Sequence, residues 1–210
     1  MSENIVIVDV GMGNSGSVSN MLKYLGIEHI RSDNPDDLKH ASKIILPGVG
    51  SFDACMRVLK DAKLIDPLIN IGNDQNKMML GICLGMQILF ESSEEGNADG
   101  LGLIKGKVKR FNIDQPNVKI PHMGWNEIKL KSNNIFTSDY TSSRFYFVHS
   151  YHVNCENPED ILATTFYGYQ FVSAIKKLNI IGVQFHPEKS HKYGLRLFSD
   201  FAKAKCITTV

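Results

Sequence analysis

The 210-residue sequence lacks several features that would place a protein in a class at once. Its formal net charge is only +1, so bulk electrostatics give no reason to expect binding to nucleic acid or a membrane surface. No apolar run approaches the length of a membrane-spanning helix. The first residues contain no basic segment followed by an apolar core, which predicts no secretory signal and a cytoplasmic location.

The sequence is also poor in cysteine. The four cysteines are Cys55, Cys83, Cys155 and Cys206, and no two of them form a C-x-x-C pair. This spacing argues against a zinc site or a disulfide framework and indicates a reducing compartment.

What the sequence does contain is a change of pattern near residue 100. Before it, apolar β-branched runs at 5–10 and 43–46 alternate with helical patterns at 18–25 and 52–71, which predicts a parallel, doubly wound sheet. After it, period-two alternation predicts antiparallel strands. These lie at 105–111, 125–130, 144–148, 161–167 and 171–176. A last strand at 180–185 precedes a closing helix at 194–203. Without a repeat or linker, residues 1–210 are predicted to form one domain.

Glycines flank Cys83 two residues away on each side, as Gly81 and Gly85. An apolar run enters this stretch and a helix-like pattern leaves it, as in a nucleophile elbow. The helix start would favour the thiolate, and the backbone N–H of Leu84 could donate to an oxyanion. The alternative is a buried cysteine beside a tight strand–helix turn.

Two other glycine-rich loops follow predicted strands. The loop at 47–50 would present bare N–H groups at the carboxyl edge of the sheet, as the second half of an oxyanion hole; the alternative is a plain turn. The loop at 11–16 formally matches a dinucleotide fingerprint. Asp33 is an ambiguous acidic partner and nothing else suits a nicotinamide, so Asn14 and Ser15 are instead predicted to cap a helix.

A cysteine nucleophile needs a base, and the base needs an orienting group. His186 follows an apolar strand, and Glu188 lies two positions further on, where an extended backbone held by Pro187 would place both side chains on one side. The alternative is a surface turn after the last strand.

The motifs at 81–87, 182–188 and 47–50 together resemble the class I (triad) glutamine amidotransferases. The resemblance implies a three-layer fold with a mostly parallel open sheet, helices on both faces and an antiparallel extension. It implies a Cys83–His186–Glu188 triad that hydrolyses glutamine, with Leu84, Val49 and Gly50 forming the oxyanion hole. No metal or organic cofactor is implied. The glutamine-recognition positions implied are Gln87, Glu95, His149, Ser150 and Tyr151.

Further segments at 11–14, 121–126 and 146–151 resemble the branch whose members supply ammonia to a (β/α)8-barrel cyclase subunit in histidine biosynthesis. This implies a heterodimer, and we hypothesise that the 47–50 loop is misaligned until the partner binds. The implied partner surface consists of Met12, Asn14, Pro121, His122, Met123, Trp125 and Asn126. For Trp125 the alternative is an ordinary core aromatic.

The sequence departs from this branch at Val10, where an aromatic residue is usual, and at Ser15, where leucine is usual. Both positions lie near the implied partner surface, so the ammonia acceptor stays open. The alternatives are a paralogous glutaminase subunit that aminates a surface-sugar precursor, a related cysteine hydrolase, and a catalytically inactive binding subunit.

Overall fold

The computed structural model describes residues 4–131, 140 and 142–205, so Cys206 lies outside the described residues. The helices are α1 (Ser15–Tyr24), α2 (Pro35–His40), α3 (Phe52–Asp61), α4 (Ile65–Asn73), α5 (Leu84–Gln87) and α6 (His191–Lys203). The first strands are β1 (Ile5–Val8), β2 (His29–Ser32), β3 (Lys43–Gly48), β4 (Met78–Cys83), β5 (Ser92–Ser93) and β6 (Gly106–Arg110). The later strands are β7 (His122–Glu127), β8 (Lys129–Leu130), β9 (Arg144–His149), β10 (Tyr151–Cys155), β11 (Ile161–Tyr167), β12 (Tyr169–Lys177) and β13 (Ile180–Val183).

The main sheet has the strand order β2-β1-β3-β4-β13-β12-β10-β6-β5 across the described residues. Neighbouring strands from β2 to β13 pair in parallel, whereas β12, β10 and β6 continue the sheet with antiparallel pairing. A separate ribbon pairs β7 with β9. The predicted order of a parallel half followed by an antiparallel half is therefore confirmed.

Alternate residues of β1 enter two different cores, which demonstrates the three layers. Ile5 and Ile7 pack in a cluster with side chains of α1 and α6, whereas Val6 and Val8 pack in a cluster with side chains of α2, α3 and α4. Because successive strand side chains point to opposite faces, helices cover both sides of the sheet. None of the helices in the described ranges is both long and apolar enough to cross a membrane.

The predicted helix at 52–71 is wrong in one respect: it is divided between α3 and α4. Lys63 adopts a left-handed conformation (φ 58°) after α3. The N–H of Leu64 bonds to the carbonyl of Leu59, and the N–H of Lys63 bonds to that of Lys60, as in a Schellman termination. Glycine usually occupies this left-handed position at the end of a helix. Because lysine occupies it here, the sequence does not indicate that the helix ends.

Close backbone packing around the end of β4 explains the glycines on either side of Cys83. A Cβ on Gly81 would lie 2.6 Å from the carbonyl oxygen of Gly85, and a Cβ on Gly85 would lie 1.9 Å from that of Leu46. A Cβ on Gly48 would lie 2.6 Å from the backbone nitrogen of Gly85. The ends of β3 and β4 therefore touch through backbone atoms.

We expect Gly85→Ala to lower the free energy of unfolding by about 3 kcal/mol or more, because the clash is with backbone that cannot rotate away. Gly16→Ala is the matched control, since its added Cβ would meet only Arg31 Nη1, at 3.8 Å, and alanine favours the helix. Denaturant unfolding of both variants measures the difference. Equal stability of Gly85→Ala and the original chain would contradict this account of the packing.

Candidate active site

Cys83 occupies a strained position at the end of β4. Its φ of 55° and ψ of −112° lie outside the regions that a side chain normally adopts, at an order-of-magnitude cost of about 1–3 kcal/mol. Helix α5 starts at the next residue, as an elbow requires, but ends at Gln87. The helix predicted after the cysteine is therefore present but is one turn long, so only one helical turn can act on the sulfur.

Parallel pairing of β13 with β4 brings His186 to the same edge of the sheet as Cys83. Val183 pairs with Ile82, so the two strands end together. The His186 N–H then donates to the Tyr146 carbonyl at 2.8 Å, which fixes the backbone that carries the imidazole. Cys83 and His186 line one cavity.

Glu188 lies against the imidazole of His186, with Oε1 2.8 Å from Nδ1. The expected proximity of the two side chains is present, but the expected extended backbone is wrong. Pro187–Lys189 is a 3-10 turn, which is compatible with proline in its first position. The turn, and not the alternation of side chains along a strand, places the Glu188 carboxylate against the His186 ring.

His186 and Glu188 are both buried, and each favours the charged form of the other. Burial opposes protonation of the imidazole, but hydrogen bonding and charge from Cys83 and Glu188 raise the pKa of His186 to about 10. Burial likewise opposes ionisation of Glu188, yet His186 and Asn14 lower its pKa. Nε2 of His186 completes no well-formed hydrogen bond to a described residue, although Cys83 is near enough to act on the ring. The arrangement favours a protonated imidazole next to the sulfur.

Asn14 holds Glu188 from the opposite side. Its Nδ2 donates to Glu188 Oε1 at 2.7 Å, the same oxygen that contacts His186. Asn14 occupies the N-cap position of α1, as predicted, but its side chain makes no capping hydrogen bond. Ser15 is the first residue of α1, and its Oγ donates to Asp9. One N–H of the Asn14 amide is therefore used within the chain, and the role of Asn14 at a partner surface stays a prediction.

The loop after β3 begins next to Cys83 and borders the same cavity as Cys83 and His186. Gly48 pairs with Cys83, and Val49 and Gly50 then line the cavity together with Leu84. Gly50 has a φ of 105°, which favours glycine, and a Cβ there would lie 3.0 Å from Met12 Cε. All three residues predicted to donate to an oxyanion therefore border the cavity that contains the sulfur; their donor role stays a prediction.

The cavity has a volume of about 370 Å³, at the lower end of the range for small-molecule sites. Its wall includes every residue predicted to recognise glutamine, namely Gln87, Glu95, His149, Ser150 and Tyr151. Sequence reasoning did not assign Pro121, Val148 or Lys189 to the glutamine pocket, and all three line it as well. A wall residue without a distinctive side chain, such as Val148, carries no sequence signal.

Hydrogen bonds within the chain fix the side chains of two residues that are predicted to recognise glutamine. Glu95 Oε2 accepts the N–H of Phe52 at 2.8 Å, at the start of α3. The side-chain nitrogen of Gln87 donates to the Tyr151 carbonyl and to Gln184 Oε1, both at 3.0 Å. These bonds orient Glu95 and Gln87 before any substrate enters.

His122 and His149 form a buried pair beside the cavity. His149 Nδ1 lies 2.7 Å from the Tyr151 carbonyl, which can only accept, so this nitrogen carries the proton. His149 Nε2 then accepts from His122 Nδ1 at 3.0 Å, and His122 Nε2 accepts from Asn126. Burial lowers the pKa of His149 and lowers that of His122 to about 4. The expectation that the His122 side chain faces a partner is wrong, because it is buried and stacked on Tyr167.

The remaining partner-surface positions leave an exposed apolar patch. Met123 is 62% exposed and Trp125 is 40% exposed, so Trp125 is not an ordinary core aromatic. The Trp125 ring stacks on His191 at 5.6 Å between centroids. Pro121 is exposed, whereas Met12 and Asn126 are partly covered.

No group of three or more His, Cys, Asp or Glu side chains within 4–131, 140 and 142–205 is placed to hold a metal ion. Burial raises the pKa of the Cys55 and Cys155 thiols to about 12, so these two thiols stay protonated at neutral pH. A strained cysteine, an imidazole and a carboxylate at one sheet edge, beside a glycine-rich loop, are the components of a cysteine-dependent amide hydrolase.

Comparisons with known proteins place the chain in a family. Residues 6–204 match the family described as glutamine amidotransferase class-I, and the chain belongs to it. It is 50% identical over 200 residues to a Methanococcus maripaludis protein named imidazole glycerol phosphate synthase subunit HisH 2, covering 95% of this chain and 98% of that protein. A Sulfurimonas denitrificans protein named imidazole glycerol phosphate synthase subunit HisH is 45% identical, covering 95% and 97% of the two chains.

Solved structures support the fold. A crystal structure described as glutamine amidotransferase matches with a TM-score of 0.71 at 18% identity, covering 93% of this chain and 96% of that one. The structure of PurLQS from Thermotoga maritima matches with a TM-score of 0.71 at 19% identity, covering 96% and 98%.

We expect Asn14→Ala to lower kcat for glutamine hydrolysis by about tenfold or more, because a hydrogen bond to a charged group contributes about 1.5–3 kcal/mol. The Glu188 carboxylate would then lose one of the two side chains that orient it. Ser17→Ala, an exposed change in the same helical turn, is the control. Steady-state glutamate release measures both. Unchanged kcat in Asn14→Ala would remove Asn14 from the catalytic assembly.

We expect the stability of the protein to fall as the pH drops from 7 towards 4.5. The unfolded chain protonates His122 below about pH 6.5, whereas the folded chain does so only near pH 4, so the unfolded state binds more protons in this window. His122→Gln should flatten the pH dependence of the unfolding free energy by about 1–2 kcal/mol between pH 7 and 5. His40→Gln, at an exposed position, is the control. Parallel curves for His122→Gln and the original chain would refute this assignment.

Proposed function

We propose that the chain is the glutaminase subunit of an imidazole glycerol phosphate synthase. It hydrolyses L-glutamine to glutamate and ammonia and passes the ammonia to a cyclase subunit. The observation that carries the proposal is the contact of Glu188 with His186 beside Cys83, in a cavity of amino-acid size. Relatives of 45–50% identity over almost the whole chain bear the name of that synthase's subunit. We further propose that all 210 residues form one amidotransferase domain and act in the cytoplasm.

In the first half of the reaction, the Cys83 thiolate adds to the side-chain carbonyl carbon of glutamine. Donors from Leu84 and from the loop at Val49 and Gly50 stabilise the resulting oxyanion. The carbon–nitrogen bond then breaks, and the imidazolium of His186 gives its proton to the departing nitrogen. Ammonia and a glutamyl thioester on Cys83 result.

In the second half, neutral His186 takes a proton from water as the water attacks the thioester. The tetrahedral intermediate collapses, the carbon–sulfur bond breaks, and glutamate leaves with Cys83 restored as a thiolate. Glu188 keeps Nδ1 of the ring protonated throughout, so Nε2 handles every transferred proton.

Most free ammonia would become ammonium in water and lose its nucleophilicity, so a closed path to a second active site is chemically favourable. The exposed Met123 and Trp125 give a partner an apolar contact near the cavity wall at Pro121. We propose that a (β/α)8-barrel cyclase subunit covers this surface and accepts the ammonia. A surface-sugar acceptor is less favoured, because the relatives carry the synthase name.

We expect purified chain to release glutamate from glutamine, and to do so faster when co-expressed with the cyclase subunit and given its ligand. Cys83→Ala should reduce release at least about a thousandfold, because the nucleophile is lost. Cys155→Ala removes a thiol away from the cavity and is the control. With amide-¹⁵N glutamine, the label should appear in imidazole glycerol phosphate. Normal glutamate release by Cys83→Ala would refute the proposed mechanism. Appearance of the label in another product would show that the ammonia acceptor is not the proposed one.

A further inference from the structure

Gln184 contacts the reacting sulfur although the mechanism above does not use it. It directly follows β13, and its side chain is completely buried. Its Nε2 donates to Cys83 Sγ at 3.7 Å, a normal length for a hydrogen bond to sulfur. The side chain therefore reaches the nucleophile from the strand that also carries His186.

The orientation of the Gln184 amide follows from its neighbours. The Tyr151 carbonyl can only accept, so the Gln87 atom that contacts it is the nitrogen. The same nitrogen lies 3.0 Å from Gln184, which must present its oxygen there. The –NH₂ group of Gln184 is then left to face Cys83. Gln87 therefore determines that a donor, and not an acceptor, points at the sulfur.

This donor is placed where negative charge appears during the reaction. A buried thiolate is costly unless charged or hydrogen-bonding groups surround it. His186 supplies a cation on one side, and Gln184 supplies a neutral N–H on another. The hydrogen bond from the Gln184 amide is strongest to the free thiolate and weakest when the sulfur is bonded to the acyl carbon of the substrate. It therefore also favours departure of the sulfur from the thioester.

We propose that Gln184 is a catalytic residue that stabilises the Cys83 thiolate, and that Gln87 keeps its amide in the donating orientation. The expected effect of this residue on catalysis rests on the proposed glutaminase function. The contact with the sulfur can be tested without glutamine.

The test uses Gln184→Met, which keeps the length of the side chain but removes the donor, and Gln184→Glu, which places an acceptor against the sulfur. The rate of Cys83 alkylation by iodoacetamide is measured from pH 5 to 10, with the Cys83 peptide identified by mass spectrometry. At pH 7 we expect the rate to fall about tenfold in Gln184→Met and further in Gln184→Glu, with the half-maximal rate at a higher pH. Gln170→Met, exposed on the neighbouring β12, is the control.

For glutamine hydrolysis, we expect kcat of Gln184→Met to fall about tenfold while KM changes less than twofold, whereas a general loss of packing would alter both. Equal alkylation profiles in Gln184→Met and the original chain would overturn the proposal, whatever happens to glutamine hydrolysis. Loss of hydrolysis with a normal alkylation profile would overturn it as well.

A measurement on the unmodified chain covers the case in which both variants fail to fold. The ¹⁵N signal of the Gln184 side-chain amide should shift as the pH is raised through ionisation of Cys83. In Cys83→Ala that shift should be absent. An amide signal that does not shift when the Cys83 sulfur ionises would contradict the assigned hydrogen bond.

Discussion

The active site depends on the parallel pairing of β4 with β13. These strands are about a hundred residues apart in sequence, and only their register brings Cys83 and His186 to one edge of the sheet. β3, on the other side of β4, adds the loop that contains Val49 and Gly50. All three strands are buried and hydrogen-bonded on both edges, so the site is built on the central strands of the sheet.

Two buried histidines that line the same cavity, His186 and His149, have opposite electrostatics. His186 faces a carboxylate and a sulfur, and the raised pKa favours its protonated form. His149 faces His122 and the Tyr151 carbonyl, and burial keeps it neutral with a fixed tautomer. One environment is suited to proton transfer and the other to holding the cavity wall. Oppositely shifted pKa values in one site are typical of enzymes.

Local structure could be predicted from the sequence where the usual residue type is present, and it could not where an unusual residue or a distant contact determines the structure. Glycines on both sides of Cys83 predicted an elbow because only glycine permits that backbone approach. The break at Lys63 was missed because an unusual residue occupies a left-handed position. Asn14 was assigned to capping and to a partner surface, since its link to Glu188 spans 174 positions. Gln184 was overlooked because its role exists only in relation to Gln87 and Cys83.

The short turn between β1 and α1 has an engineering consequence. Three consecutive residues of it touch separate parts of the site: Met12 meets Gly50, Gly13 packs on the Pro47 carbonyl, and Asn14 holds Glu188. A tag, a fused domain or even one inserted residue at this turn would disturb both the carboxylate and the glycine loop.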